Sequence, residues 1–425
     1  MNLALALVIF FVLLFLGAPI AICLGSTGLL WMLTEPSVPE TVLVSKIYAQ
    51  TDSFALMAIP FFMFAGIIME NAGITEKFVD FAKSLVGHIR GGVAHTAVVA
   101  DCILSGVSGS GNADTAAIGS MMIPALKKDG YEEGFAVALI AAAGSLGPII
   151  PPSVMMIVFA NAAGYPVGKV FMGGMIPGIL MAAGFCFVAY RYAKKNNIGG
   201  GKFGGWKNVG SVFLNTVGAL IMPIIIIGGI VSGICTATEA GVVASVYGLF
   251  YGFITKRLTF KLVMESLYES CIASIGPMLI ITYSPIFSYM LTRMNVANML
   301  GSFCEKYITS EVMFMFFLLI VGTIVGCFID GLATMLMLLP VVEPVVIAMG
   351  IDYQYFALIY ILSLLTCQIT PPVGSLLYVA AGIKKTPVQQ VIKHIWPFII
   401  VTEAVIILTI FIPEIVTWLP DVIYG

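Results

Sequence analysis

The sequence predicts an all-α polytopic membrane protein made of two inverted repeats, each with a re-entrant helical hairpin and a broken helix. Three observations carry this. The first is composition: of 425 residues, 60% are hydrophobic and 10% charged, where a soluble chain carries roughly 45–50% apolar and about 25% charged residues. So few charges cannot cover a water-facing surface, and the apolar runs are long enough to face about 30 Å of hydrocarbon. The second is an internal repeat. Displaced by 216 positions, Asp114, Ala117, Met121 and Pro124 fall on Asp330, Ala333, Met337 and Pro340; displaced by 220, Gly130 falls on Gly350, Pro151-Pro152 on Pro371-Pro372, and Pro177 on Pro397. The third is the placement of Lys and Arg, which separates segments that cross from segments that turn back.

The elements follow in order. Residues 2–33 are interrupted at Gly17-Ala18-Pro19 and read as two short helices, 2–16 and 19–33, because the second half opens with two, 210–233 and 236–255. The first half continues with apolar runs at 52–72, 92–128, 134–163 and 170–190, and the second with 271–291, 310–348, 353–381 and 388–412. Amphipathic stretches at 40–51, 76–90, 258–270 and 296–308 flank them, with Lys77, Phe78, Phe81 and Leu85 illustrating helical spacing. Such helices lie in the interface plane, as braces or plain surface helices. The loop 191–209, with Arg191, Lys194, Lys195, Lys202 and Lys207, is the most basic and is placed in the cytoplasm. If 92–128 and 310–348 enter and turn back, only Lys46, Lys169, Arg293 and Lys306 of the 20 basic residues lie on the other side. A single crossing by either segment would flip every later loop. The halves therefore have opposite orientation, and both termini fall in the periplasm.

The hairpins turn at polar tips. The first is Ser105–Thr115, with Ser105, Ser108, Ser110, Asn112, Asp114 and Thr115; the second is Gly326–Thr334, with Gly326, Asp330, Gly331 and Thr334. Each is followed by a proline break, Gly147–Ser153 (Gly147, Pro148, Pro151, Pro152, Ser153) and Thr366–Gly374 (Thr366, Gln368, Thr370, Pro371, Pro372). Proline removes N–H donors and disrupts the preceding turn, and irregular backbone survives at membrane depth only when buried in protein or lining a wet cavity. Two tips facing two breaks form one cavity, the layout of a secondary transporter built from repeats. Freed carbonyls and Ser, Asn and Thr oxygens are hard ligands suited to Na⁺, and the helix start near Asn112 can hold an anion. Glycine-serine runs also serve close helix packing, which stays open for Ser105, Gly106 and Gly109. For Asp114 and Asp330 packing is a poor explanation, because an intramembrane carboxylate costs about 2.5–3.5 kcal/mol. Whether they ligate sodium or brace the tips stays open. Arg293 is either an interfacial anchor or a substrate-carboxylate partner at the outer mouth.

Other chemistries are excluded or disfavoured. The eight cysteines and three histidines do not cluster at metal-ligand spacing, the net charge of −2 offers nothing to a nucleic acid, and no GxxxxGK[ST] is present. The N-terminal run lacks the basic flank and cleavage site of a signal peptide and reads as a retained helix. Gly106-Val107-Ser108-Gly109 matches a short intramembrane serine-protease pattern, but His95 and His394 are poorly placed to serve as its base. The chain reads as a non-enzyme.

In order, "SGSGNAD", "GSLGPIIPPS", "GMIPG" and "TPPVG" resemble the large membrane subunit (DctM type) of TRAP transporters, the tripartite ATP-independent periplasmic family, over the whole of 1–425. The resemblance implies an elevator fold like that of the ion-transporter superfamily. It divides the chain into scaffold and arm helices (1–91), a first transport part (92–190), a linker (191–209), second scaffold and arms (210–309) and a second transport part (310–425). It implies no organic cofactor, with Na⁺ as coupling ion, at least two by the two tip-and-break sites. The substrate would be an organic acid such as a C4-dicarboxylate or sialic acid, delivered by a periplasmic substrate-binding protein. A small four-helix membrane subunit would extend the scaffold in the bacterial inner membrane. A stand-alone sodium-coupled carboxylate carrier is the alternative.

Overall fold

The computed structural model describes the chain except residues 40, 297, 298, 300–307, 309, 328 and 373. The described residues form helices and connecting turns with no strand. Among the described residues, seven helices are long and apolar enough to span a bilayer: Phe54–Asn71, Val167–Lys195, Trp206–Val231, Ala237–Ile254, Phe260–Arg293, Gly331–Met349 and Val388–Phe411.

The first half begins with α1 (Leu3–Phe15) and α2 (Ile20–Leu33), two helices separated at Gly17–Pro19 as expected. Next come α3 (Thr41–Thr51), α4 (Ala58–Asn71) and the arm α5 (Ile74–Val86). Arm α5 buries Ile74, Phe78, Val79 and Ala82, a stripe at helical spacing that docks it on the fold. Arg257 of the second half meets Glu76 at 2.7 Å, but both side chains are about half exposed, so this pair contributes about 1 kcal/mol or less and apolar burial does most of the docking.

The hairpin follows as α6 (Gly92–Ser108) and α7 (Gly111–Lys128), then the broken helix α8 (Glu133–Gly144) and α9 (Val154–Ala162), then α10 (Val167–Lys195). The second half repeats the order: α11 (Trp206–Val231), α12 (Ala237–Ile254), α13 (Phe260–Arg293), the hairpin α14 (Glu311–Gly326) and α15 (Gly331–Met349), the broken helix α16 (Tyr353–Ile369) and α17 (Ser375–Lys384), and α18 (Val388–Phe411).

Two features differ from the sequence expectation. The stretch 258–270 is not a separate interfacial helix: it is the first part of the 34-residue α13. In the first half Thr51-Asp52-Ser53 stops α3, whereas nothing in Leu267–Ser274 ends a helix. A last helix, α19 (Glu414–Tyr424), packs on α10 beyond the final predicted segment. The stretch 296–308 lies almost wholly outside the described residues.

One large core unites both hairpins and both broken helices. The α8 strip Phe135–Gly144 is wholly buried, as is nearly all of α16. Tyr360 of α16 is 1% exposed and donates to the Met335 carbonyl of α15 at 2.7 Å. A buried phenol needs such a partner, and this one pins the second hairpin to the second broken helix.

Candidate functional site

The first tip is tighter than its composition implies. Helix α6 runs to Ser108 and α7 starts at Gly111, so only Gly109-Ser110 turns. Gly109 has φ +61°, and a β-carbon there would lie 2.5 Å from the Pro152 carbonyl oxygen; glycine alone fits. Asp114 sits in the first turn of α7, fully buried. Its Oδ2 accepts from the Ser105 hydroxyl at 3.1 Å and its Oδ1 from the Ser108 hydroxyl. The carboxylate thereby staples the two hairpin arms, each bond to a charged acceptor contributing about 1.5–3 kcal/mol. A carboxylate has about four acceptor positions, so Asp114 can brace the tip and still face a cation.

The tip rests directly on the first break. Val154 N–H, opening α9, donates to the Gly109 carbonyl at 3.2 Å. A β-carbon on Gly147 would lie 2.7 Å from Asp114 Oδ2 and 2.8 Å from the Gly111 nitrogen. Ser153 caps α9, accepting from Met156 N–H at 3.2 Å and donating to the Pro148 carbonyl at 2.7 Å. Pro151-Pro152 and Pro371-Pro372 both contain cis peptide bonds, at matched places in the two repeats.

The second tip is built alike with one difference. Asp330 caps α15 by accepting from Leu332 N–H at 3.0 Å, whereas Ser110 at the start of α7 makes no side-chain cap. Gly331 lies against Leu364 and Gln368 of α16. At the second break Thr370 donates to the Thr366 carbonyl at 2.6 Å.

Tips and breaks share a cavity of about 530 Å³, within the roughly 300–1,000 Å³ range of small-molecule sites. Ser108, Ser110, Asn112, Asp114, Pro148, Asp330 and Gln368 line one side; Glu70 of α4 and Pro277 and Ile280 of α13 close the other. Ser105, Thr115, Ser153, Thr334 and Thr366 are buried behind this wall. Gly147, Pro151, Pro152, Gly326, Gly331, Thr370, Pro371 and Pro372 shape its backbone rather than line it. Arg293 lies outside it, donating to Ser37 at 3.1 Å, because α13 continues 13 residues past Ile280, about 20 Å of helix.

Sequence reasoning passed over three acids. Asp101, on α6 one turn before Ser105, is completely buried, and neither oxygen has a hydrogen-bond partner among the described residues. Glu70 lines the cavity, and Glu403, midway along α18, lies near Thr366. An acid within an apolar run was the available signal. The repeat hid it: position 317, opposite Asp101, is Phe317.

The hydroxyls of Thr115 and Thr334 are buried and without partners among the described residues, although a helical threonine ordinarily bonds the preceding turn. Unpartnered hydroxyl oxygens of Thr115 and Thr334 at the tips, with the Asp101 carboxyl one turn before the first tip, are oxygen ligands of the kind that suits a hard cation. No group of three or more His, Cys, Asp or Glu that could hold a metal occurs among the described residues.

Paired hairpin tips and interrupted helices around a polar cavity, set among membrane-spanning helices, define a membrane transporter. The chain belongs to the family "Tripartite ATP-independent periplasmic transporter, DctM component", whose model matches residues 7–415; it is a TRAP large permease and not an enzyme. It is 36% identical over 402 residues to a putative TRAP large permease of Haemophilus influenzae, covering 94% of this chain and 95% of that protein. It is 31% identical to the C4-dicarboxylate TRAP large permease DctM of Rhodobacter capsulatus, over 98% and 99% of the two chains. It is also 31% identical to the sialic acid TRAP large permease SiaM of Vibrio cholerae, over 97% of each. Its fold is similar to the Alcanivorax borkumensis YdaH transporter, with TM-score 0.65 and 12% identity, covering 92% of this chain and 96% of that one.

Proposed function

We propose that this permease imports an organic carboxylate driven by a sodium gradient, with the substrate held in the cavity between the two tips. The observation that carries this reading is the uncapped start of α7 at the cavity wall. Free N–H groups and the positive end of the helix dipole attract an anion there, and Asn112 adds a side-chain amide. Carboxylates named for relatives, C4-dicarboxylate and sialic acid, are of the class such a site accepts.

Sodium would be held at each tip, at least two ions in all: near Asp114, Thr115 and Ser108 in the first repeat, and near Asp330, Thr334 and Thr366 in the second. Bound there, the ion would supply positive charge that offsets the carboxylates of Asp114 and Asp330. The chain's own part is to brace the tips, through Ser105, Ser108 and the backbone contact of Gly109 with Val154, so that the oxygens stay in place.

The reading further takes 92–190 and 310–425 as the moving part, sliding elevator-fashion against 1–91 and 210–309, with 191–209 as the linker. A small membrane subunit and a periplasmic substrate-binding protein complete the system in the inner membrane, with both termini periplasmic. The test is radiolabelled uptake into proteoliposomes holding the permease and small subunit, under an inward Na⁺ gradient, with a panel of organic acids. Uptake that needs sodium and the soluble protein supports the reading. Uptake with sodium alone would make the chain a stand-alone carrier, and uptake indifferent to sodium would remove the coupling ion.

A further inference from the structure

A second cavity of about 440 Å³ opens far from the tips, at the lysine-rich end of the molecule. Its walls are the arm α5, the Gly87-His88 turn that leads into the first hairpin, the 201–204 linker, and the start of α11. Lys77, Lys83 and Lys202 line it against a single acid, Asp80. None of the three ammonium groups has a carboxylate within ion-pair distance among the described residues, and Glu76, the other acid of α5, is already paired with Arg257. The cavity therefore holds a surplus of positive charge that the fold does not balance.

The start of α11 adds to that surplus. Gly205 gives no side-chain cap, the first turn contains no acid, and Lys207 occupies that turn, although a helix N-terminus favours negative charge. Asn208 and Asn215 supply amides to the same wall. The linker is held in place: Gly201 N–H donates to the Gly87 carbonyl at 3.0 Å and Gly91 N–H to the Gly199 carbonyl at 2.9 Å. At the rim Trp206 is 78% exposed and Phe203 42% exposed, edge to face at 5.7 Å, with His88 against Phe203 at 4.7 Å. Exposed tryptophan beside lysines places a cavity at the headgroup level of a bilayer.

We infer that this cavity binds a phosphate-bearing anion, either the headgroup of an anionic phospholipid or a free phosphate ester. The occupant touches the arm, the first hairpin's entry and the linker at once, adding to the few bonds that tie these segments, among them Arg90 Nε donating to the Ile198 carbonyl at 3.2 Å. Nothing in this inference depends on the transported substrate or on sodium.

The test is native mass spectrometry of the purified, delipidated permease titrated with phosphatidylglycerol, with phosphatidylcholine, and with glycerol 3-phosphate. Preferential retention of phosphatidylglycerol is expected, weakening about fivefold for each lysine removed, so that the triple variant Lys77→Gln, Lys83→Gln, Lys202→Gln loses most of it. The corresponding Lys→Arg triple keeps binding, as does a control, Lys256→Gln with Lys261→Gln, outside the cavity. Binding of glycerol 3-phosphate that disappears in the Lys→Gln triple identifies a free ester as the occupant. Equal retention of both lipids, or equal loss in the control and the triple, would overturn the site, because general surface charge would then account for the binding.

Discussion

Gly147 stands so close to Asp114 that a β-carbon on it would lie 2.7 Å from the carboxylate Oδ2. The break of the first broken helix thus sets how near the hairpin tip can approach. Gly147→Ala would push on Oδ2 and, at 2.8 Å, on the Gly111 nitrogen, which cannot rotate away. Overpacking of this kind costs about 1–3 kcal/mol. The variant should insert, melt at a lower temperature and lose uptake. Wild-type uptake would mean that the tip and break need not stay docked.

Asp114 receives two serine hydroxyls, so charge and bracing can be separated. Asp114→Asn keeps a carbonyl acceptor but removes the charge; Asp114→Ala removes both. Uptake should fall at least about tenfold in each, equivalent to 1.4 kcal/mol, with a further loss of thermal stability in the Ala variant alone. Normal sodium activation in Asp114→Asn would sink the first sodium assignment.

Thr115 has a buried hydroxyl without a partner among the described residues. Thr115→Val keeps the shape and removes the oxygen. The half-saturating sodium concentration should rise several-fold, while the maximal rate at saturating sodium changes little. An unchanged sodium curve would make the hydroxyl incidental.

Asp101 should behave differently. Its carboxyl is buried with neither oxygen satisfied among the described residues, and an unpaired buried polar group costs about 1–3 kcal/mol. Asp101→Leu should therefore raise the melting temperature and lower uptake, the pattern of a destabilising group kept for function. Higher stability with full uptake would reduce Asp101 to a bystander.

Arg293 reaches Ser37 and does not line the tip cavity. Arg293→Ala should leave the substrate half-saturation constant within about twofold of wild type, a difference under 0.5 kcal/mol. A large rise would restore it as a carboxylate partner.

Much of this architecture was legible because it depends on patterns that chemistry enforces along the chain. Apolar length marks spans, the Pro151-Pro152 and Pro371-Pro372 pairs mark breaks, and basic residues sort the loops, so hairpins and broken helices fell where expected. What stayed hidden depends on contacts across the fold. The fusion of 258–270 into α13 follows from the lack of a stop, a weaker signal than a present one. The two serines on Asp114 lie six and nine positions upstream, and only the tight Gly109-Ser110 turn brings them together. Asp101 and Glu403 have no counterpart in the other repeat, so a search built on duplication missed them. Arg293 was singled out for its rarity, but α13 carries it past the cavity.

Asp330 satisfies the start of its own helix, whereas Ser110 leaves the matching helix open. The duplicated tips look alike, but on the proposed reading only the first, among the described residues, offers an open helix start to an anion. On that reading a substrate with a single acid group would have a head and a tail inside the cavity. Relatives that differ in cargo can diverge at the tail end, around Gln368 and the closing wall of α13, without disturbing the end that grips. Exchanging a few residues there between permeases is the shortest route to changing what is carried.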